Sequence, residues 1–445
     1  MTMDPSVARG RLSGEAVIPL TTLDPAAALD DLGWLEEAVG DARVVAIGES
    51  AHYNREFYQL RHRLLRYLAE RHGFGAYAME TGFAEGWLAD GWVRAGEDEG
   101  LGHVMANGMT SLMGLWTPMR DHLEWMREHN RTAARPVGFY GIDMPGSMAS
   151  LLPGLDAVLA YLAEADPEYQ ADPAIRDTAA AFAQTSAFSL PALVSAYAGL
   201  APERRDALTA GLAELASRMT ARRLEYRGRT TAGAHDRASR SMDVTVTLDT
   251  MLRAMPRGDR QEVMLQREAA LADTVEWILG REDRVVLAAH NAHVQRWPAS
   301  LPGMSPVTMM GMHLAERLGE DYLVIGTTSG TGQTLNGAPS FYAGELFTDL
   351  ADAPPPGSLD ALMAASHDGL FATDLRGLSA SDAATVKAVT SQRHGVYHSE
   401  LNPLDAYDIL VHVPHVTAAE PDQAALACAP AGVREPFAGW AKRAG

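Results

Sequence analysis

Four places in the chain set acids or imidazoles just past short apolar runs. Gly48-Glu49-Ser50-Ala51-His52 follows Val44-Val45-Ala46-Ile47, and Glu80-Thr81-Gly82 follows Gly75-Ala76-Tyr77-Ala78-Met79. Asp143 closes Gly141-Ile142-Asp143 after Pro136–Tyr140, and His290-Asn291-Ala292-His293 follows Arg284–Ala289. A neutral imidazole titrates near working pH and can take a proton from water, and a neighbouring carboxylate orients it or raises its basicity. A second carboxylate can hold that water, and a cation can stabilise the oxyanion formed when it attacks a carbonyl. Glu49, His52, Glu80, Asp143, His290 and His293 therefore form a candidate acid–base set. Arg61, nine residues after His52, is its candidate cation.

The same side chains admit other chemistry. His290 and His293, three apart, could ligate a divalent metal together with Glu49, His52 and Glu80, although the set lacks the helical H-E-x-x-H form and any Cys ligand. Gly48 to His52 also begins like a nucleophile elbow. A histidine stands where the last glycine belongs, and that glycine relieves crowding in a strained turn, which counts against Ser50 as nucleophile. No phosphate-binding loop or G-x-G-x-x-G fingerprint occurs.

The apolar runs read as buried strands, and each is followed by a helix. Phe57, Leu60, Leu64 and Leu68 recur at steps of three and four and give one helical face after the first run. Ala84–Arg94 and Trp116–His129 are further helices, and Ala26–Val39 an earlier one. This β-α-β-α patterning predicts an α/β fold with a parallel or mixed central sheet flanked by helices. Ligands in such sheets sit at the carboxyl ends of the strands, where the acids and imidazoles fall. Two more strands are expected at Tyr322–Ile325, ending on Gly326–Gly330, and at Ile409–Val413. Ala353–Gly357 reads as a linker or turn, and the tail after Ala418 as peripheral.

Two stretches depart from the pattern. Residues 96–118 interleave glycines with Met105, Met109, Leu112, Met113, Leu115 and Trp116. One reading is a flexible wall or lid for an apolar substrate, since Met adapts to irregular shapes. The other is packing against the core. Residues 151–280 are alanine-rich, with Leu208, Leu212, Leu215 and Met219 at helical spacing and loops near Glu164–Pro173 and Thr230–Arg237. They read as a helical insertion or cap, leaving 1–150 and 281–445 as the core that carries the site.

The 445 residues hold 37 basic and 57 acidic side chains, a net charge of −20, with 47% apolar and 21% charged content. That is an ordinary globular composition, long enough for two lobes or one core with a large insertion. The acidity argues against nucleic acid or an anionic membrane as partner. One cysteine, Cys428, permits no intrachain disulfide. Residues 1–20 lack a basic segment followed by an apolar one, so a cytoplasmic protein is expected.

Several of these segments together resemble the erythromycin esterase family: Gly48 to His52, then Arg55-Glu56-Phe57 and the helix from Arg61 to Leu68; Met79-Glu80-Thr81-Gly82-Phe83; Ala289 to His293; Met310-Gly311-Met312-His313-Leu314; and Tyr407 to His412. The motifs span nearly the whole chain. The resemblance implies hydrolysis of a macrolide lactone by water without a covalent serine intermediate, with His52 as general base. It places Glu49, Glu80, Arg61, His290 and His293 in the same pocket, under a helical portion over the cleft. Two positions depart from the family pattern: Tyr53 stands where many members have glycine, and Arg267-Glu268 where an Arg-Asp pair is common.

Three classes of function follow. The first is a metal-independent esterase acting on a small-molecule ester or lactone. In it His52 draws a proton from a water held against Glu80, Glu49 orients or charges the pair, and Arg61 or a protonated His290 or His293 stabilises the oxyanion and protonates the leaving alkoxide. Tyr53, Met105, Met109, Trp116 and Asp143 would contact the substrate, and no cofactor is needed. The second is a metal-dependent hydrolase or lyase using the same side chains as ligands. The third is a binding protein that sequesters an apolar ligand under residues 96–118.

Overall fold

A strand covered by helices on both faces needs an apolar residue at nearly every position, and the short runs of this chain supply such strands. The computed structural model describes residues 10–96, 99–300, 303–351 and 353–444. Its strands are β1 (Ile18–Pro19), β2 (Val44–Glu49), β3 (Ala76–Gly82), β4 (Gly138–Asp143), β5 (Val285–His290), β6 (Tyr322–Leu335), β7 (Phe347–Asp349), β8 (Phe371–Asp374), β9 (Ser391–His394), β10 (Tyr397–Glu400) and β11 (Ile409–Val416). Every residue of β2, β3 and β4 is buried.

The main sheet runs β1-β8-β11-β6-β2-β5-β3-β4, with β7 added on β6; β9 and β10 form a separate hairpin. β4, β3, β5, β2, β6 and β11 are mutually parallel. β8 and β1 continue antiparallel at one edge. The fold is thus α/β, a mixed central sheet flanked by helices. After β2 the chain skips one place to make β3 and β4. It returns much later to fill the gap with β5 and then crosses to the other side of β2 with β6. Such a reversal opens a crevice at the carboxyl ends. Register aligns the ends: Glu49 pairs with His290, Met79 with Ala288, and Gly82 with Asp143.

The helix Arg55–His72 buries Phe57, Leu60, Leu64 and Leu68 and stops at Gly73, whose left-handed φ of +67° lets its N–H reach the Leu68 carbonyl. Gly48 has a packing reason unrelated to an elbow. A Cβ there would meet Asn291 Oδ1 at 2.2 Å. That Asn291 side chain clamps Thr327, donating to its carbonyl at 2.7 Å and accepting from its N–H at 3.1 Å.

Between β4 and β5 the chain is helical: Leu152–Ala165, Pro173–Phe182, Leu190–Ala198, Pro202–Ala221, Arg223–Arg229, Ala232–Ala254 and Arg260–Leu279. Leu208, Leu212, Leu215 and Met219 are buried in one apolar cluster with Val44, Val285 and Leu287 of the sheet. The loop expected at Thr230–Arg237 shrinks to two residues, because the Thr231 hydroxyl caps Ala234 N–H and starts a helix at Ala232.

Other expectations need correction. The strand expected at Tyr322–Ile325 and ending on Gly326–Gly330 runs on to Leu335, since β11 pairs with it from Ile325 to Gly332. The single helix expected at Ala26–Val39 is a short turn, Asp30–Leu32, and a helix, Leu35–Val39, separated at Gly33. The Met-rich stretch packs against the core: Met105, Met109, Leu112, Met113, Leu115 and Trp116 are each at most 5% exposed. Residues 97 and 98 of it lie outside the described residues. The tail is not peripheral. Ala419 N–H bonds the Tyr53 carbonyl, Asp422 N–H the Leu115 carbonyl, and the Phe437 ring lies 5.4 Å from Trp116. Residues 1–9 of the N-terminal arm lie outside the described residues. Among the described residues no single helix is long and apolar enough to cross a membrane.

Candidate active site

β2 ends on Glu49, and the turn after it folds His52 back so that its Nδ1 lies 2.6 Å from Glu49 Oε1. This leaves Nε2 facing Glu80 Oε1 across 3.8 Å, too far for a direct hydrogen bond. The His52 side chain is 20% exposed and Glu49 only 1%. Behind Glu49, Arg61 Nη1 lies 3.0 Å from Oε2 in ion-pair contact, without hydrogen-bond alignment. The guanidinium sits over the Tyr58 ring. Arg61 is buried on the far side of Glu49, so the expected contact with an oxyanion in the cleft is corrected: Arg61 backs the carboxylate instead.

A second imidazole is built in the same way. His293 Nδ1 lies 2.8 Å from the Glu268 carboxylate, and its Nε2 lies 3.2 Å from the same Glu80 oxygen. Glu268 is wholly buried and also accepts the Met310 N–H at 3.0 Å. Its neighbour Arg267 donates through Nε and Nη2 to Asp143 and through Nη2 to Glu80 Oε1 at 3.2 Å. Asp143, expected to contact substrate, is 3% exposed and anchors Arg267.

Glu80 stands between the two halves. Its Oε2 accepts the His290 backbone N–H at 2.8 Å. Burial pushes its carboxyl up, but His293, His52 and Arg267 together hold it well below the usual range, so it is a carboxylate. His52 is pulled down by burial and pulled up more strongly by Glu80 and Glu49, so its pKa is raised. His293 is also pulled down by burial, yet Glu268 and Glu80 raise it to about 10, which keeps it charged at neutral pH.

His290 differs. Its Nδ1 accepts the Ala292 N–H at 3.1 Å, and its Nε2 lies 3.3 Å from the Ser50 carbonyl, which assigns the proton to Nε2. Burial and the neighbouring His394 and His52 hold it neutral, well below its ordinary value. The expected protonated His290 is therefore corrected, and His293 is the charged member of the two.

The expected substrate contacts also divide. Met105 and Trp116 are fully buried and offer no ligand surface. Tyr53 takes a left-handed φ of +65°, donates to the Ser111 carbonyl and stacks 5.3 Å from Trp116, tying the Met-rich segment to the turn that carries His52. Met109 lines a cavity of about 330 Å³ with Glu85, Ser111, Leu112 and Ser147. Ser111, Leu112 and Ser147 also hold left-handed φ values, a strain that persists only where surrounding contacts enforce it. Ser111 N–H donates to Ser147 Oγ at 2.7 Å.

Two alternatives lose their footing. The Ser50 hydroxyl is 2% exposed and faces Ser329 Oγ at 3.4 Å, while His290 addresses its carbonyl instead. No group of three or more His, Cys, Asp or Glu side chains among the described residues is arranged to hold a metal ion. Sequence reasoning missed Arg267 and Glu268 as site residues. The available signal was Glu268 itself, a charge on the buried stripe of Leu271, Ala272, Val275 and Ile278.

Residues 69–416 match the protein-family profile described as erythromycin esterase. The chain is 31% identical over 327 residues to the type II erythromycin esterase of Escherichia coli, covering 71% of this chain and 76% of that protein. It is 27% identical over 297 residues to the type I enzyme of the same organism, covering 64% and 70%. Its fold is similar to that of a mutant of the erythromycin esterase EreC in its open conformation, with a TM-score of 0.72 over 89% of this chain and 97% of that one at 22% identity.

Proposed function

The chain belongs to the erythromycin esterase family, and from that premise we propose that it opens an ester or lactone of a macrolide-like natural product with a water activated by His52 and without an acyl group on serine. It is a carboxylic ester hydrolase; the macrolide class and the route are the proposal. The observation that carries the route is the setting of His52, a partly exposed side chain with Nδ1 tied to Glu49 and Nε2 turned toward a Glu80 carboxylate too distant to bond it.

A water in that gap donates one hydrogen to Glu80 and the other to His52 Nε2. As its oxygen attacks the ester carbonyl, the second proton passes to Nε2, and the growing imidazolium is held by Glu49. The positive field of Arg267 and His293 lies beside the oxyanion. When the tetrahedral intermediate collapses, the C–O bond to the leaving alcohol breaks and His52 Nε2 returns its proton to the alkoxide. The products are a carboxylic acid and an alcohol, and the site regains its starting charge.

The test is mass spectrometry of purified protein with a panel of macrolides in ¹⁸O-labelled water. The expected product is heavier by one water, carries ¹⁸O in its new carboxyl group and is indifferent to chelator. An acyl-enzyme trapped on Ser50, or no macrolide that gains water, overturns the reading.

A further inference from the structure

We propose that Glu268 is a positioning residue that fixes His293 as a standing cation, so that His293 Nε2–H holds the Glu80 carboxylate in place for the water that His52 activates. The inference rests on the esterase reading above and deepens it.

Glu268 is fully buried near the middle of the helix Arg260–Leu279, and a buried carboxylate needs a counter-charge. Arg267 lies next to it but directs its guanidinium at Asp143, at Glu80 and, at 3.4 Å, at His293 Nε2, and not at Glu268. The ion pair Glu268 makes among the described residues is with His293. The groups around that ring are Glu268 and Arg267 from the helix, Glu80 from β3, His52 from the β2 turn, His290 on the same segment, and His394 from β9. With a carboxylate at each nitrogen, only the doubly protonated ring donates on both sides. A neutral ring would set a lone pair against one of the two carboxylates; Arg267 Nη1 also reaches Nε2, but at 3.4 Å it is the longer contact, and Glu80 Oε1 at 3.2 Å is the nearer partner.

The charges balance in the same way. Asp143, Glu80 and Glu268 face Arg267 and His293. Removing the His293 charge leaves three carboxylates around one guanidinium, which favours protonation of Glu80 or its rotation away from His52. Either change takes away the acceptor for the attacking water. Glu268 thus acts on the reaction through His293 and touches no reacting atom.

Glu268→Gln tests this, since the amide oxygen can still accept the Met310 N–H. The His293 imidazole, followed by NMR in the absence of substrate, should then titrate near or below 6.5 instead of at about 10. The His293 charge also depresses His52. Its loss should therefore move the acid limb of kcat/KM to higher pH, by about one unit for a close pair. At neutral pH kcat should fall about tenfold or more while KM stays within about threefold, as expected when the lost interaction acts mainly in the transition state. Glu268→Asp should restore both readouts in part. A Glu268→Gln protein whose His293 remains charged at pH 8, or whose acid limb does not move, overturns the proposal. If the wild type hydrolyses no ester, the esterase reading fails and the imidazole titration alone decides this one.

Discussion

His52 and His293 each carry a glutamate on Nδ1 and each turn Nε2 toward the same oxygen of Glu80, yet they are set for opposite work. The His52 side chain is 20% exposed with a 3.8 Å gap to Glu80; His293 is 8% exposed and closes on that oxygen at 3.2 Å. The deeper difference lies behind the outer glutamates. Glu49 already has Arg61 as counter-ion, so His52 can lose its proton without leaving a buried charge unpaired. Among the described residues no arginine forms an ion pair with Glu268, and His293 supplies the balancing charge. One carboxylate–imidazole arrangement thus serves as a base where a second cation stands behind it and as a fixed cation where none does.

The comparison can be broken most severely at His52. His52→Ala should lower kcat by about two to four decades, the usual contribution of a positioned base, with an unchanged circular-dichroism spectrum. His52→Ala at wild-type rate would remove the base from the account. Glu80→Gln strikes the carboxylate that both halves share and should cost about one to two decades. Because Glu80 raises His52, its neutralisation should move the acid limb of the pH–rate profile to lower pH. An alkaline movement would contradict the assignment.

Arg61→Gln makes the first half resemble the second. Glu49 would then need His52 as its counter-ion, so the limb should move to higher pH, opposite to Glu80→Gln. Removing one partner of the buried pair should also cost up to about 3–5 kcal/mol of stability in a denaturant titration, less at acid pH where the His52 imidazolium replaces it. The smallest effect is expected at Tyr53→Phe, which removes the hydrogen bond to the Ser111 carbonyl and keeps the stack on Trp116. It should lower stability by about 1 kcal/mol and leave kcat within about threefold. A large loss of kcat would make Tyr53 a substrate contact after all.

The base half of this site was legible in the sequence and the cation half only partly. Glu49, His52, Glu80, His290 and His293 lie at strand ends, where a run of apolar residues followed by a polar one marks both the element and the direction the side chain faces. The parallel strands were legible for the same reason: β2, β3 and β5 are continuous apolar runs. Arg267 and Glu268 sit within a long helix more than a hundred residues from β4, and helical spacing says which face is buried but not which strand end it meets. Arg61 was found and misplaced, because its distance along the helix from His52 does not tell which side of Glu49 it reaches. Tyr53 looked like a cleft residue because an aromatic follows the base directly. Its left-handed φ is a conformation that glycine takes at lower cost, and nothing in the residues around it marks that backbone in advance. The short strands β1, β7 and β8 are two to four residues long and form through pairing across the chain, which local pattern does not encode.

The most direct test of the asymmetry is a pH titration of the two imidazoles in the wild-type protein by ¹⁵N NMR, assigned by single His52→Ala and His293→Ala variants. His293 should stay doubly protonated through neutral pH and release its proton near 10, while His52, though raised above its ordinary 6.5, should give up its proton first. If His293 loses its proton first, or the two titrate together near 6.5, the division into a base and a fixed cation is wrong.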